Sequence, residues 1–297
     1  MPFDSMRNLL GWRAPLLEAS PPAVDLMPSR ISDAALAEDD DPIWPSARIS
    51  VAEALWGEGF LFPGGGEEVL RLATPLGLSA ALRLLLIGAG GGGASRRIAE
   101  ELGVRVTGYE ANARLVGLAN ERSRQAGLGR CARVEPWDPL APKFPPRYFH
   151  HCMAIEVLRG ARPEPLLAAA SKALKPGGQL LLLQTVSDLP LDPANPMVAT
   201  WAKLDRRSAE LPTELAITSV LRRLGFDVRI VEDVSRREMQ NAIQGWRAAV
   251  QAMAGARPTL RQLAVVVREA ELWLARFHLM RAGRLRLVRW HAIAAGG

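Results

Sequence analysis

Leu82-Arg83-Leu84-Leu85-Leu86-Ile87, followed by Gly88-Ala89-Gly90-Gly91-Gly92-Gly93, is the stretch on which the fold turns. A short apolar run that stops at glycines suits a strand buried on both faces better than a helix, which would need a longer run. The glycines let the backbone turn sharply and approach a ligand. The apolar spacing from Ala94 to Leu102 then predicts a helix opening at the loop. Strand, glycine loop and helix N-terminus together gather N–H groups around one point, a way of holding a polar cofactor. The loop alone fits several nucleotide-type cofactors.

Working outward, Val104–Tyr109 reads as a second strand ending at Glu110, with a helix over Arg114–Ala126. Further strands are predicted near Ala132–Glu135, Phe149–Ile155 and Gln179–Gln184, with a helix over Pro163–Leu174 between the last two. Strands alternating with helices predict an α/β fold, Rossmann-like and doubly wound, with a mostly parallel sheet. Thr213–Leu224 reads as a helix stopped by Gly225, before strand Asp227–Val231. Helices over about Ser235–Ala254 and Thr259–Met280 precede a last strand, Arg284–Ala292, making seven strands. Pro190, Pro193 and Pro196 read as a loop. Residues 1–48 read as an N-terminal extension and 49–297 as one domain. Segments 186–215 and 235–282 serve as lid elements, the second forming a helical lid near the C-terminus.

The 48% hydrophobic and 23% charged content is that of a globular chain, which sets disorder aside. No apolar run reaches the roughly 18 residues that span a bilayer, and Asp4 and Arg7 interrupt any leader, so the expected compartment is the cytoplasm. Cys131 and Cys152 are too few for a disulfide framework or a metal site, and no metal is expected. The net charge of +6 comes mainly from arginines scattered along the chain, whereas tracking phosphates needs basic groups on one face with stacking aromatics. Nucleic acid is therefore disfavoured. Monomer and homodimer both stay open.

Glu110, about 20 residues past the glycines, reads as an acceptor for the two hydroxyls of a ribose, with an exposed helix-cap glutamate as the other reading. Asp138, after Trp137, has two readings: an acceptor for an adenine amino group with Trp137 on the ring, or a turn former before Pro139. His150 and His151 are adjacent in a strand and point to opposite faces, so they do not serve one centre.

The glycine loop, Glu110, Asp138 and Leu174-Lys175-Pro176-Gly177-Gly178-Gln179-Leu180 resemble class I S-adenosylmethionine-dependent methyltransferases. Trp56-Gly57-Glu58-Gly59-Phe60-Leu61-Phe62-Pro63-Gly64-Gly65 narrows the resemblance to the phosphoethanolamine N-methyltransferase and cyclopropane fatty acid synthase group. The resemblance implies S-adenosylmethionine as cofactor, bound by Phe60, Gly64, Gly65, Gly88, Ala89, Gly90, Glu110, Ala111, Trp137, Asp138 and Ile155. It also implies methyl transfer to a small-molecule or lipid-like acceptor, at N or O more than C, with Glu156 as the candidate catalytic residue, a base or an ammonium partner, beside the equal reading of a structural carboxylate at the strand end. Three positions depart from the pattern. Leu86 stands where the first strand usually carries an acid. Phe60 and Gly160 stand where the phosphoethanolamine enzymes have a tyrosine and a histidine. A catalytically degenerate protein that acts by ligand or partner binding is the alternative.

Overall fold

In the computed structural model, which describes residues 43–254 and 259–295, strand β1 (Arg83–Ile87) lies deep in the sheet. It pairs in parallel with β2 (Arg105–Glu110) on one side and β4 (Phe149–Ile155) on the other. With β3 (Ala132–Pro136), β5 (Leu174–Val186), β6 (Phe226–Asp233) and β7 (Arg286–Ala294), the seven-stranded order is β3-β2-β1-β4-β5-β7-β6. Strand β7 is antiparallel to both of its neighbours, as expected of a mostly parallel sheet.

Side chains alternate across the strands with period two. Leu84 and Leu86 enter one core with Met153, Leu181 and Leu183, while Leu85 and Ile87 enter the other with Cys152, Leu180 and Leu182. Helices α1 (Ser46–Trp56), α2 (Gly65–Ala73), α3 (Gly93–Leu102) and α4 (Ala113–Gln125) contribute to the first core. Helices α5 (Glu164–Ala173) and α7 (Glu214–Arg223) cover the second.

Three boundaries differ from the sequence reading. Pro196–Asp205, expected as loop, is helix α6: the Asn195 side chain accepts from Met197 N–H and Val198 N–H, and Pro196 occupies the first turn, where its missing N–H costs nothing. Strand β5 begins at Leu174, five residues early, because Leu174 pairs with Phe149 before an irregularity restores pairing at His151 and Gln179. Helix α1 starts at Ser46, so the expected boundary after residue 48 falls inside a helix. The extension up to residue 42 lies outside the described residues. Helices α8 (Ser235–Ala254) and α9 (Leu260–Arg281) occupy the second expected lid segment. They bury Trp246, Trp273 and Phe277 in the core that holds Leu84, so they are structural as well as covering.

The two histidines stitch strands together. His150 Nδ1 accepts from Arg83 N–H at 3.0 Å, and His151 Nδ1 accepts from Gln179 N–H at 3.1 Å. Burial, aided by the charges of His150 and His291, pushes His151 down to about 4. The folded state thus binds this proton less well than the unfolded chain. Stability from His151 is fully present above about pH 6.5 and is lost as the pH falls toward 4, by about 3 kcal/mol. Denaturant melts of wild type and His151→Gln between those pH values check this. The variant is expected to lose much of the acid-dependent slope, and an unchanged slope would assign it elsewhere.

Candidate functional site

A cleft opens at the C-terminal ends of β1, β2 and β4, and the glycine loop forms its floor. Gly88 sits at φ +80°, where a Cβ would lie 2.5 Å from the Ile155 carbonyl oxygen, so no side chain fits. The N–H groups of Gly88 and Ala89 both donate to Tyr109 O, at 2.9 and 3.1 Å, holding the loop against the end of β2. Glu110 accepts from Gly90 N–H at 2.9 Å and from Asn112 N–H at 3.0 Å, one bond to each carboxylate oxygen. Each oxygen keeps further acceptor capacity, which suits a ribose diol. Gly88, Ala89, Gly90, Glu110, Ala111, Trp137 and Ile155 all line the cleft. The arrangement fits an adenosine lying across the strand ends, with Trp137 braced by Phe144 at 6.0 Å.

Phe60, Gly64, Gly65 and Asp138, also expected at the cofactor, do not line the cleft. Gly93 N–H donates to Gly59 O at 3.1 Å, which folds the upstream glycine segment over the loop. That packing brings Gly59, Leu61, Phe62 and Pro63 to the cleft. Phe60 is buried behind the wall with its ring 6.0 Å from Phe62. Gly64, at φ +89°, caps α2, and Gly65, at φ +47°, is pressed against the Trp56 carbonyl, so both shape the segment without lining the cleft. Asp138 is exposed and its Oδ1 accepts from Leu140 N–H at 2.8 Å, the turn-forming role.

Beyond the glycines the cleft becomes a charged chamber. Glu156 stands at the end of β4 in the left-handed region, φ +52°, a conformation that costs a non-glycine residue about 1 kcal/mol or more. Its carboxylate accepts from Thr185 N–H, from Thr185 Oγ1 at 2.8 and 2.9 Å, and from Arg207 Nη2 at 3.0 Å. Arg276 stands 4.0 Å away, held by two bonds to Glu238, at 3.1 and 2.8 Å, and one to Thr185 Oγ1 at 2.8 Å. Burial alone would raise the Glu156 pKa, but Arg207, Arg276 and the Thr185 bonds outweigh it and hold it below the usual carboxylate range. A carboxylate so fully engaged stays ionised and anchors the arginines. That arrangement suits the structural reading of Glu156 better than the role of a proton acceptor.

Arg207 also pairs with Asp205, yet its Nη1 finds no hydrogen-bond partner among the described residues although the side chain is only 3% exposed. Arg159, on the rim, reaches Asp205 O at 3.2 Å. Trp56 and Trp273, edge to face at 5.3 Å, add apolar wall. Sequence reading missed Arg159, Asp205, Arg207, Glu238 and Arg276. They lie far apart in the chain, and charged residues on helices read as solvated faces. The available signal was weak: Arg276 and Glu238 fall within otherwise apolar helical faces.

Residues 84–178 match the methyltransferase domain family. Phosphoethanolamine N-methyltransferase 1 of Arabidopsis thaliana is 27% identical over 202 residues, 68% of this chain and 40% of that protein. The chain thus spans less than half the length of that relative. Haemonchus contortus phosphoethanolamine N-methyltransferase 2, solved with phosphomonomethylethanolamine and S-adenosylhomocysteine, superposes with TM-score 0.71 at 20% identity, over 84% of this chain and 57% of that one. The [4+2]-cyclase SpnF superposes with TM-score 0.63 at 20% identity, over 84% and 92%.

Calorimetric titration with S-adenosylhomocysteine tests the cradle. Glu110→Ala is expected to weaken binding by about 1–3 kcal/mol, the effect of removing a charged acceptor from hydroxyls. Unchanged affinity would take Glu110 out of the site.

Proposed function

We propose that the chain, which carries a class I S-adenosylmethionine-dependent methyltransferase domain, transfers a methyl group to a small acceptor bearing an acidic group. The observation that carries this reading is one continuous cleft: a glycine cradle with Glu110 at one end, and a buried arginine with an open N–H at the other. Gly88, Ala89, Gly90, Glu110, Ala111, Trp137 and Ile155 would hold S-adenosylmethionine, which supplies an electrophilic methyl on a sulfonium.

The chain's own residues then position and exclude. Trp56, Leu61, Phe62, Leu272 and Trp273 keep water from the reacting end, where fixed dipoles and charges act most strongly. Arg207 Nη1, buried without a partner, costs about 1–3 kcal/mol until an acceptor oxygen meets it. Holding the acceptor there orients its nucleophilic atom for in-line attack. Glu156 positions Arg207 and Arg276 for that task. Most of the curated relatives bear phosphoethanolamine in their names, which agrees with an acidic group on the acceptor and with nitrogen as the atom methylated, although a sterol 24-C-methyltransferase of Eremothecium gossypii is also among them.

General acid–base help typically contributes 10²- to 10⁴-fold, and Phe60, buried off the cleft, and Gly160 supply none. Phosphoethanolamine, whose ammonium must lose a proton, is therefore expected to turn over slowly compared with acceptors that are already neutral amines or ionised oxygens. A second reading, ligand binding without methyl transfer, is favoured by Leu86, which is fully buried and leaves β1 without a carboxylate for the cofactor's ammonium. Transfer of radiolabelled methyl across phosphobases, free amines, carboxylated acceptors and lipid extracts decides among these. Robust phosphoethanolamine turnover would remove the argument from Phe60 and Gly160. Tight S-adenosylhomocysteine binding with no acceptor turned over would favour the second reading.

A further inference from the structure

The end of the sheet opposite the cleft gathers cations that the sequence spreads widely. Arg83 opens β1 and stands in register with Arg105, which opens β2. Val106 N–H donates to Cys131 O at 2.8 Å, which places the residue before it, Arg130, beside the start of β2. On the other flank, Lys175 near the start of β5 reaches His150 Nε2 at 2.9 Å, and His150 Nδ1 accepts from Arg83 N–H. Arg147 N–H donates to Lys172 O at 2.9 Å.

These contacts make a continuous row across β3, β2, β1, β4 and β5, about 19 Å long at the usual strand spacing. Arg105, Arg130, Arg147 and Lys172 are exposed, and Arg83 and Lys175 are partly so. None of the six is ion-paired among the described residues. Carboxylates of the same end are already taken: Glu101 by Arg97, Glu121 by Arg124 and Asp227 by Arg229, leaving Glu100 on α3 as the exception. Lys172 lies in the last turn of α5 and complements that helix's dipole. The other five lie outside the last turn of any helix, so no helix end accounts for them.

The row also has a stacking surface. The Arg83 guanidinium lies 4.4 Å over the ring of Tyr148, a residue 38% exposed. His150 is pushed to lower pKa by burial and by Lys175 and Arg83, in keeping with a positive local potential.

We propose that this basic row binds a single strand of nucleic acid, its phosphates tracking the strand starts and a base stacking at Tyr148. Cations that follow one another along the strand starts, with an aromatic among them, suit a phosphate chain, whereas a lipid surface needs no such linear order. The proposal does not depend on what the cleft methylates.

Fluorescence anisotropy with a labelled single strand of about 12 nucleotides tests it on the full chain. Binding is expected to weaken with salt, with a log–log slope of about −3 to −4 for four to six phosphates contacted. The double variants Arg105→Glu/Arg130→Glu and Arg147→Glu/Lys172→Glu, each checked for an unchanged melting temperature, are expected to lose at least about 10-fold in affinity. Their S-adenosylhomocysteine affinity should stay at the wild-type value. Absence of binding at low salt overturns the proposal, as does binding that both variants retain. Binding to anionic phosphatidylserine vesicles without binding to the oligonucleotide overturns it in favour of a membrane surface.

Discussion

The ionised carboxylate of Glu156 is the constraint around which the upper half of the molecule is arranged. One side chain at the end of β4 accepts from Thr185 on β5 and from Arg207 beyond α6, and it faces Arg276 from α9. Elements separated by more than a hundred residues therefore meet at one charge. Replacing a buried ion network with apolar groups is often neutral or stabilising, so the network's contribution is better sought in geometry than in net stability. Breaking one member is another matter, because it strands the remaining charges. The left-handed backbone of Glu156 fits this view: a strained residue persists only where its surroundings over-determine it.

The chamber divides its labour between two kinds of polar group. The cradle near Glu110 uses backbone N–H groups and a carboxylate with spare acceptor capacity, a neutral to negative surface suited to hydroxyls. The far end uses guanidinium groups already matched by carboxylates, with Arg207 Nη1 left over. A ligand bridging the two ends would be read by different chemistry at each, which is how a site distinguishes the partners of a two-substrate reaction.

Much of this was legible in the sequence, and the reasons are local. Leu82–Ile87 with its glycines fixed β1 and the cradle because the apolar run, the φ-permissive loop and the helix start are neighbours in the chain. Glu110 was singled out by its spacing from the glycines, and its carboxylate accepts from Gly90 N–H in the loop. Phe60, Gly64 and Gly65 do not line the cleft at which they were expected, since motif membership does not tell which face of a turn looks inward. Helix α6 was hidden by counting three prolines as breakers, although Asn195-Pro196 is also a helix start. The arginine and carboxylate cluster was illegible because pairing of buried charges is decided by tertiary proximity, which one sequence without periodic spacing does not encode.

The antiparallel strand β7 lies between β5 and β6, although β6 precedes it in the chain. Until β7 arrives, β6 has no partner in the sheet and the edge of β5 is unpaired along its length. The intervening α8 and α9 must therefore be made before the sheet can close, and their docking and the closure are coupled through Trp246, Trp273 and Phe277. During synthesis on a ribosome, the nucleotide-cradle half from β1 to β4 can assemble early, whereas the charged chamber comes into existence only with the final pairing. A partly made chain would thus possess the cradle without the chamber, and the bare edge of β5 would be the surface most in need of protection from aggregation.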